Sequence, residues 1–215
     1  MRNAAALISI FLLAVAGMLW LDQTPRQLDM SELKSLGLFR LPEPLQITDP
    51  ALFDEVGDPF DVERFGGRWS FIFFGYTRCP DICPVTMSIL GQAERLISAE
   101  EREDKASASF QGVLVSVDPD RDNQDTMNAY VKAFSPRFIG LIGSDASVKS
   151  FGLQLGAGFR RGGTVDTELG YLVEHSPYIF VVDPAGRYYG YIKPPFDVNR
   201  MVRIYSSLRQ AREGL

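Results

Sequence analysis

Soft ligand chemistry is scarce in this chain and gathered in two places. There are two cysteines, one histidine and six methionines in 215 residues. Both cysteines lie in Gly75-Tyr76-Thr77-Arg78-Cys79-Pro80-Asp81-Ile82-Cys83-Pro84, and the histidine lies in Val173-Glu174-His175-Ser176-Pro177. Two thiols with three residues between them can clip a metal or switch between dithiol and disulfide. Pro80 and Pro84 each follow a cysteine and bias it away from helical geometry. That predicts a stiff loop entering a helix rather than two turns of a regular one. Helical i, i+4 neighbours hold their Cβ atoms about 5–6 Å apart, whereas a relaxed disulfide wants about 3.5–4.5 Å. A loop can supply either spacing, so metal and disulfide both stay open. Cys83 near a helix N-terminus, with Arg78 close by, favours a thiolate; Asp81 opposes it.

Ligand count narrows the metal reading. Structural zinc takes four protein ligands. Cys79, Cys83 and His175 make three, with no further Cys or His in the sequence. Thiolates select Cu(I), and imidazole suits both copper states. Met87 lies one turn beyond Cys83 but reads as core. A lone histidine before a strand is more often a capping or core residue. His175 gains weight from its place at a loop-to-strand junction, matching the cysteines at a strand-to-helix junction. Pro177 is a position for a cis peptide.

Positioning these groups requires a scaffold. Trp69 to Phe74 is an apolar run expected of a strand buried on both faces, and the cysteine loop follows it. A helix is predicted from near Cys83, with Pro84 in its first turn and Ile89, Leu90, Ala93, Leu96 and Ile97 on one face. Gly112 to Val117 reads as a second buried strand. Met127, Tyr130, Val131 and Phe134 mark a second helix, and Phe138 to Ile142 a third strand. Ser144 or Asp145 can cap a helix carrying Val148, Phe151 and Leu155. Tyr178–Val182 and Arg187–Ile192 flank the turn sequence Asp183-Pro184-Ala185-Gly186 and read as a hairpin. Val198 to about Arg212 closes the chain as an amphipathic helix. The pattern is α/β: a mixed sheet flanked by helices, with a cysteine pair placed as in a thioredoxin-like fold.

Lys+Arg number 22 against 27 Asp+Glu, a net charge of −5. No basic surface suggests nucleic acid as a partner. Ala4 to Leu21 is apolar apart from Ser9, preceded by Arg2 and followed by Asp22. As a helix it would span roughly 27 Å, close to a hydrocarbon core of about 30 Å. Residues 1–21 are therefore read as a membrane anchor, with a cleaved signal sequence ending near Ala14-Val15-Ala16 as the rival. Residues 22–46, with Pro25, Pro42 and Pro44, read as a tether, and 47–215 as the domain. A domain outside the membrane can form disulfides, yet a single pair staples little, which favours reactive thiols over structural ones.

The motifs now resemble a known family. Phe73 through Pro84, Val115-Ser116-Val117-Asp118-Pro119-Asp120-Arg121-Asp122, Tyr130 through Pro136, and Val173-Glu174-His175-Ser176 are similar, in order and spacing, to the signatures of the Sco/SenC family. The resemblance covers about residues 47 to 210. It implies a thioredoxin-like domain behind an N-terminal transmembrane helix. It also implies copper as the metal, bound by Cys79, Cys83 and His175, and Asp118 at an acidic position that supports the site. The family commonly has Asp before the histidine, where this chain has Glu174, which the resemblance implies as a second supporting residue. The implied function is a copper metallochaperone, not an enzyme. It would deliver copper from an upstream donor to the binuclear copper centre of cytochrome c oxidase subunit II during oxidase assembly. The alternative is a thiol–disulfide oxidoreductase in which Cys79 and Cys83 form a disulfide when oxidised and reduce the acceptor's cysteines. In a bacterium the implied place is the inner (cytoplasmic) membrane, single-pass, with the domain facing the periplasm.

Overall fold

The computed structural model describes residues 28–100, 110–162 and 170–213. The anchor expected at residues 1–21 lies outside that range. Among the described residues no helix is long and apolar enough to cross a membrane.

Ten strands and five α-helices are formed among the described residues. In chain order they are α1 (Met30–Ser35), β1 (Leu38–Gln46), β2 (Leu52–Asp54), β3 (Pro59–Phe60), β4 (Ser70–Gly75), α2 (Ile82–Glu100), β5 (Gln111–Ser116), α3 (Gln124–Phe134), β6 (Ile139–Ile142), α4 (Asp145–Leu155), β7 (Phe159–Arg161), β8 (Val173–His175), β9 (Ile179–Val182), β10 (Arg187–Ile192) and α5 (Val198–Glu213). Eight strands make one mixed sheet in the order β1-β10-β9-β4-β5-β6-β2-β3, while β7 and β8 pair separately. β4, β5 and β6 run parallel, and β9 lies antiparallel to β4.

Every residue of β4 and β5 is buried, as continuous apolar strands covered on both faces must be. Side chains alternate between those faces. Phe71 meets Phe110, which meets Tyr205 of α5 on one side; Phe74 meets Phe151 of α4 on the other. The expected strand-helix alternation, the hairpin β9–β10 and the Ser144 cap of α4 are all present. This is a thioredoxin-like sandwich.

Two expectations need correction. Residues 30–46 are not a free tether. Asp29 and Glu32 form a capping box on α1, and β1 pairs with β10 at the sheet edge. The prolines that suggested a tether, Pro42 and Pro44, fall in the register shift between Arg40 and Leu45. A proline has no N–H to give a ladder and is tolerated at such edge irregularities. The cis X–Pro bond among the described residues is Pro194–Pro195, not the one at Pro177.

Candidate metal centre

The parallel pair β4–β5 sets the floor of the site. Val117 N–H donates to Gly75 O at 2.9 Å, extending the ladder to the point where the cysteine loop leaves. That loop is tied down by buried Asp122. Its carboxylate accepts from Thr77 Oγ1 at 2.5 Å, Thr77 N at 3.2 Å and Ser116 Oγ at 2.6 Å. Cys79 stays in the loop, whereas Cys83 is the second residue of α2. The non-helical geometry expected of Cys83 before Pro84 is therefore not found. A first-turn proline has no intrahelical N–H bond to lose, and this gain outweighs its effect on its neighbour. Met87 is wholly buried in the core.

β8 brings His175 to the cysteines from 92 residues further along the chain, with Nε2 3.4 Å from Cys83 Sγ. Its Nδ1 lies 3.2 Å from Ser176 O, a carbonyl that can only accept. Nδ1 thus carries the proton, and the Nε2 lone pair faces the thiols. Phe73 and Tyr76 meet the imidazole ring at centroid distances of 5.4 and 6.2 Å, both nearly perpendicular. The donor atoms of Cys79, Cys83 and His175 all lie within 4.8 Å of one another. Among the described residues no other cluster of three His, Cys, Asp or Glu side chains could hold an ion.

The two thiols differ in depth and in charge. Cys83 is fully buried and Cys79 is 9% exposed. Cys79 Sγ accepts from the Cys83 S–H and from backbone N–H groups, including Cys83 N at 3.4 Å. Chiefly through the Cys83 thiol, and against the cost of burial, its pKa is lowered to about 4. Cys83, donating that hydrogen bond and wholly desolvated, is pushed far up. One thiolate shared by two sulfurs, beside a free imidazole lone pair, is a soft donor set with one member short of a closed tetrahedron. Both cysteines are free thiols in this structure.

The two supporting residues named from sequence are placed differently. Asp118 is fully buried but reaches no ligand. It receives Arg121 Nε and the Tyr171 hydroxyl. Glu174 points outward, is 68% exposed and pairs with Arg160 Nη2 at 2.7 Å across β7–β8. Asp122, Tyr171, Tyr76 and Phe73 complete the surroundings; sequence reading did not single them out. Asp122 and Arg121 belong to the Asp118–Asp122 motif, so that motif carried the signal without the contacts.

A family model described as SCO1/SenC matches residues 45–210. The chain belongs to the SCO1/SenC family. Among its relatives, a Stutzerimonas stutzeri protein named for copper binding is 34% identical over 164 residues, covering 76% of this chain and 77% of its own. The mitochondrial SCO2 homologue of Danio rerio is 36% identical over 143 residues. That alignment covers 65% of this chain and about half, 48%, of the fish protein. The crystal structure of Arabidopsis thaliana ScoI with copper bound superposes with a TM-score of 0.65 at 27% identity, covering 80% of this chain and 98% of that one. SCO1/SenC membership accounts for the sandwich and for the order of the motifs.

Proposed function

We propose that this chain is a membrane-anchored copper chaperone of oxidase assembly. It takes up one copper ion through Cys79, Cys83 and His175 and delivers it to the binuclear copper centre of cytochrome c oxidase subunit II. The observation that carries this reading is the convergence of the three donors within 4.8 Å. The copper bound by the Arabidopsis relative supports the choice of metal. Delivery is ligand exchange and needs no enzymatic step. An acceptor thiol can displace one ligand at a time from a three-donor site. In this reading residues 1–21 hold the domain at the inner membrane facing the periplasm, where a separate donor supplies copper.

The decisive experiment is His175→Ala beside Cys79→Ser, reading copper content of the reduced protein and oxidase activity in cells. Both variants are expected to bind copper far more weakly and to lose oxidase activity. Retention of both by His175→Ala would sink the chaperone reading.

The unequal thiols favour a second reading, thiol–disulfide exchange. The Cys79 thiolate would attack a substrate disulfide and release one substrate thiolate. Cys83 would then attack the mixed disulfide, leaving Cys79–Cys83 oxidised and the substrate as a dithiol. An external dithiol must restore the chain. This route does not use His175, so the same pair of variants separates the two.

A further inference from the structure

The two cysteines and the histidine belong to different parts of the fold. Cys79 and Cys83 follow β4, a central strand of the eight-stranded sheet, whereas His175 ends β8, whose only strand partner among the described residues is β7. Among those residues no sheet ladder fixes the imidazole relative to the thiols. Side-chain contacts must do it.

Those contacts converge on Tyr171 and Arg121. The Tyr171 hydroxyl donates to Asp118 Oδ1, and Arg121 Nε donates to Asp118 Oδ2. Arg121 Nη2 donates to Tyr171 O at 2.9 Å. The guanidinium also lies 3.8 Å from the Tyr171 ring centroid and 5.6 Å from that of Tyr76. Two residues on, Val173 N donates to the Tyr76 hydroxyl at 3.4 Å. Asp118 is wholly buried, and Arg121 is 12% exposed at its side chain. The backbone just before β8 is therefore gripped at a side chain, at a carbonyl and at an N–H, all from the loops that follow β4 and β5.

We propose that Tyr171 and Arg121 are positioning residues for His175: they clasp the start of β8 to buried Asp118 and so hold the imidazole against the thiol pair. Neither touches a ligand. Outer groups that orient a ligand typically change metal affinity by about 10–100-fold when removed. The inference rests on the copper-site reading for its metal readout, but its first readout needs no metal.

His175 is the single histidine of the chain. In untagged, metal-free, full-length protein its ring resonances are therefore unambiguous, and the rings of Phe73 and Tyr76 shift them. Tyr171→Phe, which removes only the hydroxyl, is expected to move those resonances toward an exposed imidazole while the rest of the spectrum stays dispersed. Arg121→Lys, which keeps the charge but loses the fork, is expected to do the same. With Cu(II) alone as probe, both variants should lose nitrogen hyperfine coupling and weaken binding by about 10–100-fold. On a His175→Ala background Tyr171→Phe should have no further effect on copper, because its partner is already gone. Unchanged ring resonances in Tyr171→Phe, or equal weakening with and without His175, overturns the proposal. Failure of the wild-type chain to take up copper overturns the copper reading instead, and the metal-free ring shifts still decide the clasp.

Discussion

Gly75→Ala tests the architecture of the site without replacing a ligand. Gly75 ends β4, directly beneath the thiols. A methyl placed there would lie 2.9 Å from Cys83 Sγ, 3.1 Å from Leu114 Cδ1 and 3.4 Å from Phe73 Cδ1. Carbon contacts settle at about 3.5–4.0 Å and sulfur is larger, so the overlap with Sγ is at least about 0.6 Å. Gly75 is not among the positive-φ glycines, so backbone strain plays no part. Two responses are available. If the core holds its positions, overpacking costs about 1–3 kcal/mol. At about 2–4 °C per kcal/mol for a chain of this size, that lowers Tm by roughly 2–12 °C. If Cys83 instead turns about χ1, Sγ leaves its position 3.4 Å from His175 Nε2. Stability is then largely kept and Cu(I) affinity falls by at least about tenfold. Thermal unfolding of the reduced, metal-free protein and competition with a Cu(I) chelator read the two responses separately. A Tm within about 1 °C of wild type together with unchanged affinity would refute the packing argument.

Three further outcomes are expected. Asp122→Ala removes the acceptor of Thr77 and Ser116; at about 1.5–3 kcal/mol per bond to a charged group it should cost at least about 3 kcal/mol in denaturant unfolding, and a loss under about 1 kcal/mol would contradict the role assigned to it. Cys79, held down to about 4, is a thiolate at every pH above that value; its alkylation by iodoacetamide should change less than about threefold between pH 8 and 5.5, whereas a thiol titrating near 8.5 slows about tenfold per unit, and such a slope would refute the assignment. The Tyr130 hydroxyl is buried with no hydrogen-bond partner among the described residues, and burial pushes its pKa up; Tyr130→Phe should leave Tm unchanged or raise it, and a loss above about 1 kcal/mol would reveal a partner.

The sequence made the central strands legible because burial on both faces leaves no polar position, as in Ser70–Gly75. The cysteine loop was legible because its residue types are rare. Three things were not. Pro42 and Pro44 concealed β1, since the same residues suit a linker and an edge irregularity equally well. β7 and β8 are three residues each, too short for a period to register. The contacts of Asp118 and Asp122 join segments up to 53 residues apart, so no local pattern encodes them. Asp118 was named for the right neighbourhood, yet it grips the chain that carries His175 rather than a ligand.

The ends of the sheet also govern how this chain can meet others. One outer strand, β1, is interrupted by two prolines and a register shift, and the other, β3, has only two residues. Neither presents the long, regular row of free N–H and C=O groups on which a second chain could grow as another strand. Among the described residues the eight-stranded sheet thus gives crowded copies a poor template for growing edge to edge.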